Sequence, residues 1–538
     1  MSPTPSSAAP AAIGRAWAAD LLAGFLVFLI ALPLCLGISM ASGFPPLAGV
    51  ITAIVGGVLA SFAGSAPLTI KGPAAGLIVI ALGAVTELGG GDLAAGYPKA
   101  LAVGVVAAIV QIAFALLRSG KLGEMFPASV VHGMLAAIGV IIVSKQAHIL
   151  LGVKPAGKEP LHLLAEIPHS IAQLNPAIAA IGLVSFLVLV LWPRVPVAAA
   201  RKVPAPLVVL LVAVPMGIAF GLDTAHSLSF GPLHAEVGPK DLVRLGGTLW
   251  GAITLPDFSE ILSSTSLKYI VMFSLVGSIE SLLSAKAVDI LDPWKRKSDL
   301  DKDLLAVGVG NLVASMLGGL PMISEIVRSS ANINNGARTR LANFFHGLFL
   351  LAFVAAVPAL IERIPLAALA AMLVFTGLRL ASPAEFKKTL QIGNEQLLIF
   401  TATLVVTLAT DLLLGVGAGI LLKWAIHLKN GASLRSLFRP AVRLDLDGTT
   451  ARIAVEDAAV FSNYLGLRGK VQAAEAAGAT HIEVDFTRAS LVDHTVMERM
   501  EDLTHELAHE GRTMVLRGLD QHEAFSAHPL AGRRRKAA

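Results

Sequence analysis

The chain has 538 residues, of which 55% are hydrophobic and only 15% charged, and its formal net charge is +5. Soluble domains carry about 25% charged residues, so the composition argues against a soluble protein. The modest excess of basic residues suits membrane orientation rather than nucleic-acid binding. The single cysteine, Cys35, rules out an internal disulfide and a cysteine-built metal site.

Residues 1–15, rich in Ser, Ala and Pro, read as a disordered tail. The first apolar run is too long for a signal peptide and leads straight into a second, so it is a retained helix with Cys35 as a small apolar residue inside it. A bilayer-crossing helix needs roughly 20 mainly apolar residues. On that basis spans are predicted at 20–42, 45–64, 73–89, 97–117, 127–147, 174–193 and 203–222. After a long polar stretch they resume at 266–290, 303–320, 324–335, 340–362, 364–381, 394–411 and 412–428. Residues 16–430 are thus a membrane domain of fourteen spans, seven plus seven. The third and tenth spans each follow a Gly/Pro break, Lys71-Gly72-Pro73 and Gly318-Gly319-Leu320-Pro321. Interrupted segments at matching places in two halves point to a transporter binding site. An odd number of spans per half makes the repeats inverted.

The loops after even-numbered spans hold most of the basic residues. They carry Arg118 and Lys121; Arg194, Arg201 and Lys202; Lys295, Arg296, Lys297 and Lys302; Arg338 and Arg340; and Lys387 and Lys388. Basic loops face the cytoplasm, which puts both termini there and the chain in the inner (plasma) membrane. From about Arg435 the pattern changes. Val442–Leu446 alternates as a strand does, and Ala451–Val460 reads as a second. A helix at 463–477, a strand at His481–Phe486, a helix at 494–510 and a strand at Thr513–Leu516 complete a small α/β domain over 435–520. Residues 521–538, with Arg533-Arg534-Arg535-Lys536, read as a basic tail that is solvated by default or else lies near anionic lipid headgroups.

Apolar walls exclude ions, so a mid-membrane anion needs compensation. The free N–H groups and positive dipole end at a helix N-terminus supply it. Half-helices starting at Ala74 and Ser324 make one anion site from backbone donors, lined by Pro73, Ala74, Ala75, Gly76, Ser324, Glu325 and Ile326. Intramembrane charges are functional-site candidates, and Glu280, deep in the eighth span, is the clearest. With Ser284 one turn on, it either ligates a sodium ion or carries a proton. Lys71, Glu325 and Arg328 are expected to form a charge cluster beside the anion site, with the cytoplasmic interface as the other destination for Arg328. His132 and His346 read as hydrogen-bonded packing residues. No P-loop, nucleophile elbow or dinucleotide fingerprint occurs, which leaves no support for an enzyme, and no cofactor is called for beyond a coupling sodium ion or proton.

These motifs together resemble the sulfate permease (SulP) family of anion transporters, the bacterial relatives of prestin. The resemblance is carried by Asp20-Leu21-Leu22-Ala23-Gly24 through Pro33, by Gly72-Pro73-Ala74-Ala75, by Gly277-Ser278-Ile279-Glu280-Ser281 and by Arg328 through Gly336-Ala337-Arg338-Thr339. Val484-Asp485-Phe486-Thr487 to Leu491-Val492-Asp493 looks like the core of a STAS domain. The resemblance implies two inverted seven-span repeats divided into core and gate domains, an elevator motion and a homodimer. It also implies an anion bound between the third and tenth spans with Glu280 nearby. Glu325 and Lys71 depart from the family pattern, and the STAS-like domain is short. The expected function is cation-coupled transport of a small anion, bicarbonate or sulfate, with a proton ahead of sodium as the coupling ion. An anion exchanger or channel, and a dicarboxylate or nucleobase permease of the same fold, are the alternatives.

Overall fold

The computed structural model describes residues 13–120, 126–155, 159–196, 203–230 and 233–536. Most of the predicted tail, and Lys121, Arg201 and Lys202 of the basic loops, lie outside the described residues. The chain divides into two compact units, 1–120 with 138–379 and 121–137 with 380–538.

In the first unit the helix Ile13–Ala41 begins inside the predicted tail. It is followed by Pro46–Val58, which is continued by Ala60–Ala63. The third predicted span is split. Residues Ile70–Pro73 form a strand, β1, and a 3-10 turn, Ala75–Leu77, opens the helix Ile78–Leu88. Helices Leu93–Leu116, Ala128–Leu150, Pro176–Leu191 and Ala205–Ala219 come next, and the Ala128–Leu150 helix runs across the division between the units. Side chains fix several starts: Asp92 accepts from the Ala94 and Ala95 amides, and Asn175 from those of Ala177 and Ile178. The polar stretch holds a hairpin of β2 (His226–Phe230) and β3 (Leu233–Val237), which hydropathy did not reveal.

The second half repeats the scheme with Ser264–Leu291, Leu300–Met316, the strand β4 (Met322–Glu325), and helices Ile326–Asn334, Leu341–Ala356 and Leu366–Leu380. With Asn394–Ala409 and Leu412–Lys429 in the second unit, each predicted span falls on a helix. Eight of the described helical segments are long and apolar enough to cross a bilayer, and four shorter ones are apolar. Two further helices, Pro160–Ala172 and Pro383–Ile392, lie where no span is predicted.

Both breaks interrupt a helix for the same reason. Proline has no N–H and disfavours helical backbone in the residue before it, so Gly72-Pro73 lies within the strand β1 and Leu320-Pro321 leads directly into the strand β4. β1 and β4 pair antiparallel, with Ile70 opposite Glu325, Lys71 opposite Ser324, Gly72 opposite Ile323 and Pro73 opposite Met322. Around this ribbon small residues bring helices close. A Cβ on Gly57 would strike the backbone of Gly347, the close approach that membrane helices use in place of a hydrophobic drive. Asp20 ties the first helix to the end of the tenth span. It accepts from the Arg338 amide at 2.7 Å, the Thr339 amide at 3.1 Å and the Thr339 hydroxyl at 2.6 Å.

In the second unit the α/β domain contains β5 (Val442–Asp447), β6 (Thr450–Val455), β7 (His481–Asp485), β8 (Leu491–Val492), β9 (Thr513–Arg517), β10 (His522–Ala524) and β11 (Arg533–Arg535). The main sheet runs β5-β6-β7-β9, with the first pair antiparallel and the others parallel. Helices Tyr464–Ala476 and His494–His509 make the crossovers that parallel strands require. Ile453, Val484, Phe486, Val496 and Met500 are among the residues of its buried core. The predicted strands and helices all occur here. The basic tail does not behave as expected: β11 pairs with both β10 and β8, so the folded domain runs to residue 535. A run of four cations hides strand periodicity: the backbone pairs, while Arg534, Arg535 and Lys536 keep their side chains exposed as expected.

A candidate substrate site at two broken helices

The two half-helices leave opposite ends of one short ribbon and run apart, so their positive ends face inward across about 10 Å of strand. Neither start is capped by a side chain, at Ala74 or at Glu325. Their first-turn amides are therefore left for backbone, water or a ligand to satisfy. Pro73, Ala74 and Gly76 are buried and Ala75 is half-buried at one end. At the other end Ser324 is buried, Glu325 half-buried and Ile326 exposed.

The helix Ser264–Leu291 touches both ends. Ser281 Oγ accepts from the Ser324 amide at 3.1 Å. Glu280, next to it, is 7% exposed, and neither carboxylate oxygen has a hydrogen-bond partner. The carboxylate lies against Gly76, where an added Cβ would run into it. A buried carboxylate without donors is stable only when a proton or a cation neutralises it. Ser284, one turn on, is half-buried. Among the described residues no group of three or more His, Cys, Asp or Glu side chains is gathered as metal ligands would be.

The charges divide differently from the expected cluster. Lys71 does not join Arg328. Its Nζ forms a 2.9 Å ion pair with Asp303, on the opposite face of the ribbon from Gly72. Arg328 stays buried, 1% exposed, instead of reaching the cytoplasmic interface. Its Nη2 donates to the Pro73 carbonyl at 3.4 Å and its Nη1 to Cys35 Sγ at 3.6 Å. A Cβ on Gly72 would meet Nη1, and Nε has no partner. Glu325 Oε1 likewise has none, and the two side chains form no ion pair among the described residues. The expected packing role of the histidines also changes. Both ring nitrogens of His346 are buried without a partner, and His132 faces Glu385 at 3.6 Å while partly exposed.

Several polar residues that hold the site escaped the sequence reading. Asn311 accepts from the Met322 amide at 2.5 Å and donates to its carbonyl at 3.1 Å. Ser329 accepts from the Ile70 amide at 2.8 Å, and Asn332 donates to the Leu68 carbonyl at 3.0 Å. Each is an intramembrane polar side chain, and that was the available signal. Gly76→Val is expected to lower the maximal transport rate at least about tenfold without unfolding the α/β domain, since the branched side chain displaces Glu280. Initial-rate uptake and circular dichroism of the purified variant check it.

Comparison with known proteins finds relatives over most of the chain. The bicarbonate transporter BicA of Picosynechococcus is 26% identical over 424 residues, covering 78% of this chain and 71% of that protein. The sodium-independent sulfate anion transporter of Bos taurus is 23% identical, over 93% of this chain and 83% of that one. The solved transmembrane domain of a cyanobacterial BicA superposes with a TM-score of 0.62 at 25% identity, covering 74% of this chain and 97% of that chain. The structure of SLC26A9 superposes with a TM-score of 0.65 over 94% of this chain and 85% of that one. At 14% identity this last likeness speaks for the fold alone. The sulfate permease family profile matches residues 17–403, nearly the whole membrane part of the sequence. The chain belongs to the sulfate permease family.

Proposed function

We propose that the chain is a secondary transporter of a small oxyanion, bicarbonate or sulfate, bound between the half-helix N-termini and coupled to a cation at Glu280. The observation that carries this reading is the joint one at the ribbon. Two uncapped helix starts offer backbone donors, and an unpartnered buried carboxylate stands against one of them. The donors suit an anion. The carboxylate suits a proton or a sodium ion, whose arrival removes a charge that would repel the substrate. A proton is favoured, and sodium on Glu280 and Ser284 is the second choice. Arg328 adds a buried positive charge beneath Gly72. The fourteen-span count, cytoplasmic termini, inner-membrane location, homodimer and elevator motion belong to the same reading. The family supports them, and the antiparallel pairing of β1 and β4 fits repeats of opposite orientation.

The test is uptake of labelled sulfate and bicarbonate into proteoliposomes with proton and sodium gradients imposed separately. Saturable uptake that follows one gradient identifies the coupling ion. Uptake that ignores both gradients and follows a counter-anion would replace symport with exchange, and uptake that does not saturate would make the chain a channel.

A further inference from the structure

We infer that Asp303 is a positioning residue that locks the two broken spans into one rigid body, with Lys71 as its counter-ion and not as a ligand of the anion. The inference rests on reading the β1–β4 ribbon as the substrate site.

Register starts the argument. Lys71 and Ser324 are direct cross-strand partners, and such partners project from the same face. Asp303 lies on that face and takes both. Lys71 Nζ donates to Oδ1 at 2.9 Å, and the Ser324 hydroxyl donates to Oδ2 at 3.0 Å. The Ala66 amide, just ahead of β1, adds a 3.3 Å contact to Oδ1. Lys71 Nζ also donates to Thr69 Oγ1 at 2.7 Å. One carboxylate thus gathers donors from the approach to β1, from β1 itself and from β4. All of it is out of water: Asp303 is 1% exposed, Lys71 2% and Ser324 0%.

Burial decides the role. A buried ion pair seldom stabilises more than a well-packed apolar pair, but losing one partner is costly. What this pair supplies is geometry. An apolar pair would leave the register of a four-residue ribbon to two prolines and a few amides. The helix that carries Asp303 also clamps β4 through Asn311, two turns further along. The ribbon is therefore held at two points by one helix. Lys71 is spent in this arrangement, because its charge is neutralised at contact distance. Arg328 lies on the other face with an unpaired Nε, so the positive charge left near the site belongs to it.

The test is hydrogen exchange on the full-length chain in lipid nanodiscs, joined to transport kinetics. Ser324→Ala cuts only the Asp303 link to β4. Asp303→Asn leaves a buried lysine uncompensated and risks misfolding. The double variant Lys71→Gln/Asp303→Asn removes both charges and keeps hydrogen-bonding groups, so it keeps the proposal testable. In Ser324→Ala and in the double variant, peptides over 66–77 and 320–330 are expected to exchange about tenfold faster together, while peptides of the α/β domain do not change. In the double variant the sulfate or bicarbonate KM is expected to stay within about threefold while the maximal rate falls about tenfold. Faster exchange in one segment alone, or none in either, overturns the locking role. Unchanged exchange with a large rise in KM makes Lys71 an anion ligand instead. If the wild type moves neither anion, the exchange measurement still decides the role of Asp303, so that failure falls on the transport reading alone.

Discussion

Glu280→Gln is expected to cut gradient-driven uptake sharply while leaving exchange of one anion for another. Glutamine matches glutamate in shape, so the packing against Gly76 survives. It can neither take up a proton nor ligate sodium with a negative charge. Coupling free energies of about 1–3 kcal/mol correspond to roughly 5- to 150-fold in affinity. Uptake driven by the effective gradient should fall within that span, and the residual rate should no longer respond to it. Counterflow, with equal anion on both sides and no gradient, should persist because the backbone donors at the two uncapped helix starts are untouched. Unchanged gradient-driven uptake in Glu280→Gln would remove the carboxylate from the coupling step. Loss of counterflow as well would mean that it holds the substrate site together.

The elements were legible in the sequence because each level of the signal agreed. Long apolar runs gave the helices, and alternation gave β5, β7 and β9. The Gly/Pro breaks marked β1 and β4, whose antiparallel pairing is the expected consequence of inversion, though their being strands is a backbone solution that hydropathy does not encode. The same holds for the β2–β3 hairpin and for β11, where polar and cationic runs carry no apolar period. Glu280 was legible as a charge in the middle of an apolar helix. Asp303 was missed for the opposite reason. It stands among Asp301 and Lys302 at the start of the ninth span, where charges are ordinary, and only tertiary packing buries it to 1% exposure. Lys71 was noticed, but its partner was not. Its neighbours in sequence offered none, and the cluster expected with Glu325 and Arg328 did not include the true partner, which lies 232 residues away. The separation of Lys71 from Arg328 follows from strand alternation, which could be applied only once the break was known to be a strand.

Lys423→Met is expected to loosen the α/β domain from the last helix, by a larger margin than any substitution on the domain's own surface. Lys423, on Leu412–Lys429, is fully buried, and its Nζ lies 3.3 Å from Asp493 Oδ2 and 2.8 Å from Thr495 Oγ1. Asp493 also meets His427 at 3.4 Å and caps the His494–His509 helix through the Val496 amide at 2.7 Å. Trp424 completes the junction, stacked on Phe461 and donating to Ser462 at 3.2 Å. Removing one member of such a pair costs about 3–5 kcal/mol, because the other charge stays buried. Lys423→Met and Asp493→Asn should each raise exchange at the start of the His494–His509 helix. The double variant should recover part of the loss, since neither charge is then left alone. No recovery would mean that the two residues act separately. The pH dependence has a definite sign. Burial pushes the Asp493 carboxyl up, but Lys423, His427 and the Val496 and Phe461 amides outweigh it and hold the group below its ordinary 3.8. A carboxylate lowered in the folded state contributes stability above its unfolded pKa and loses it as pH falls through the folded one. The share of the junction's protection that Asp493 carries should therefore be flat through the neutral range and fall only below about pH 4, while His494, whose pKa burial lowers from 6.5, adds a separate loss as pH falls below that value. In Asp493→Asn that acid-induced fall should be reduced, because the side chain that carries it no longer titrates.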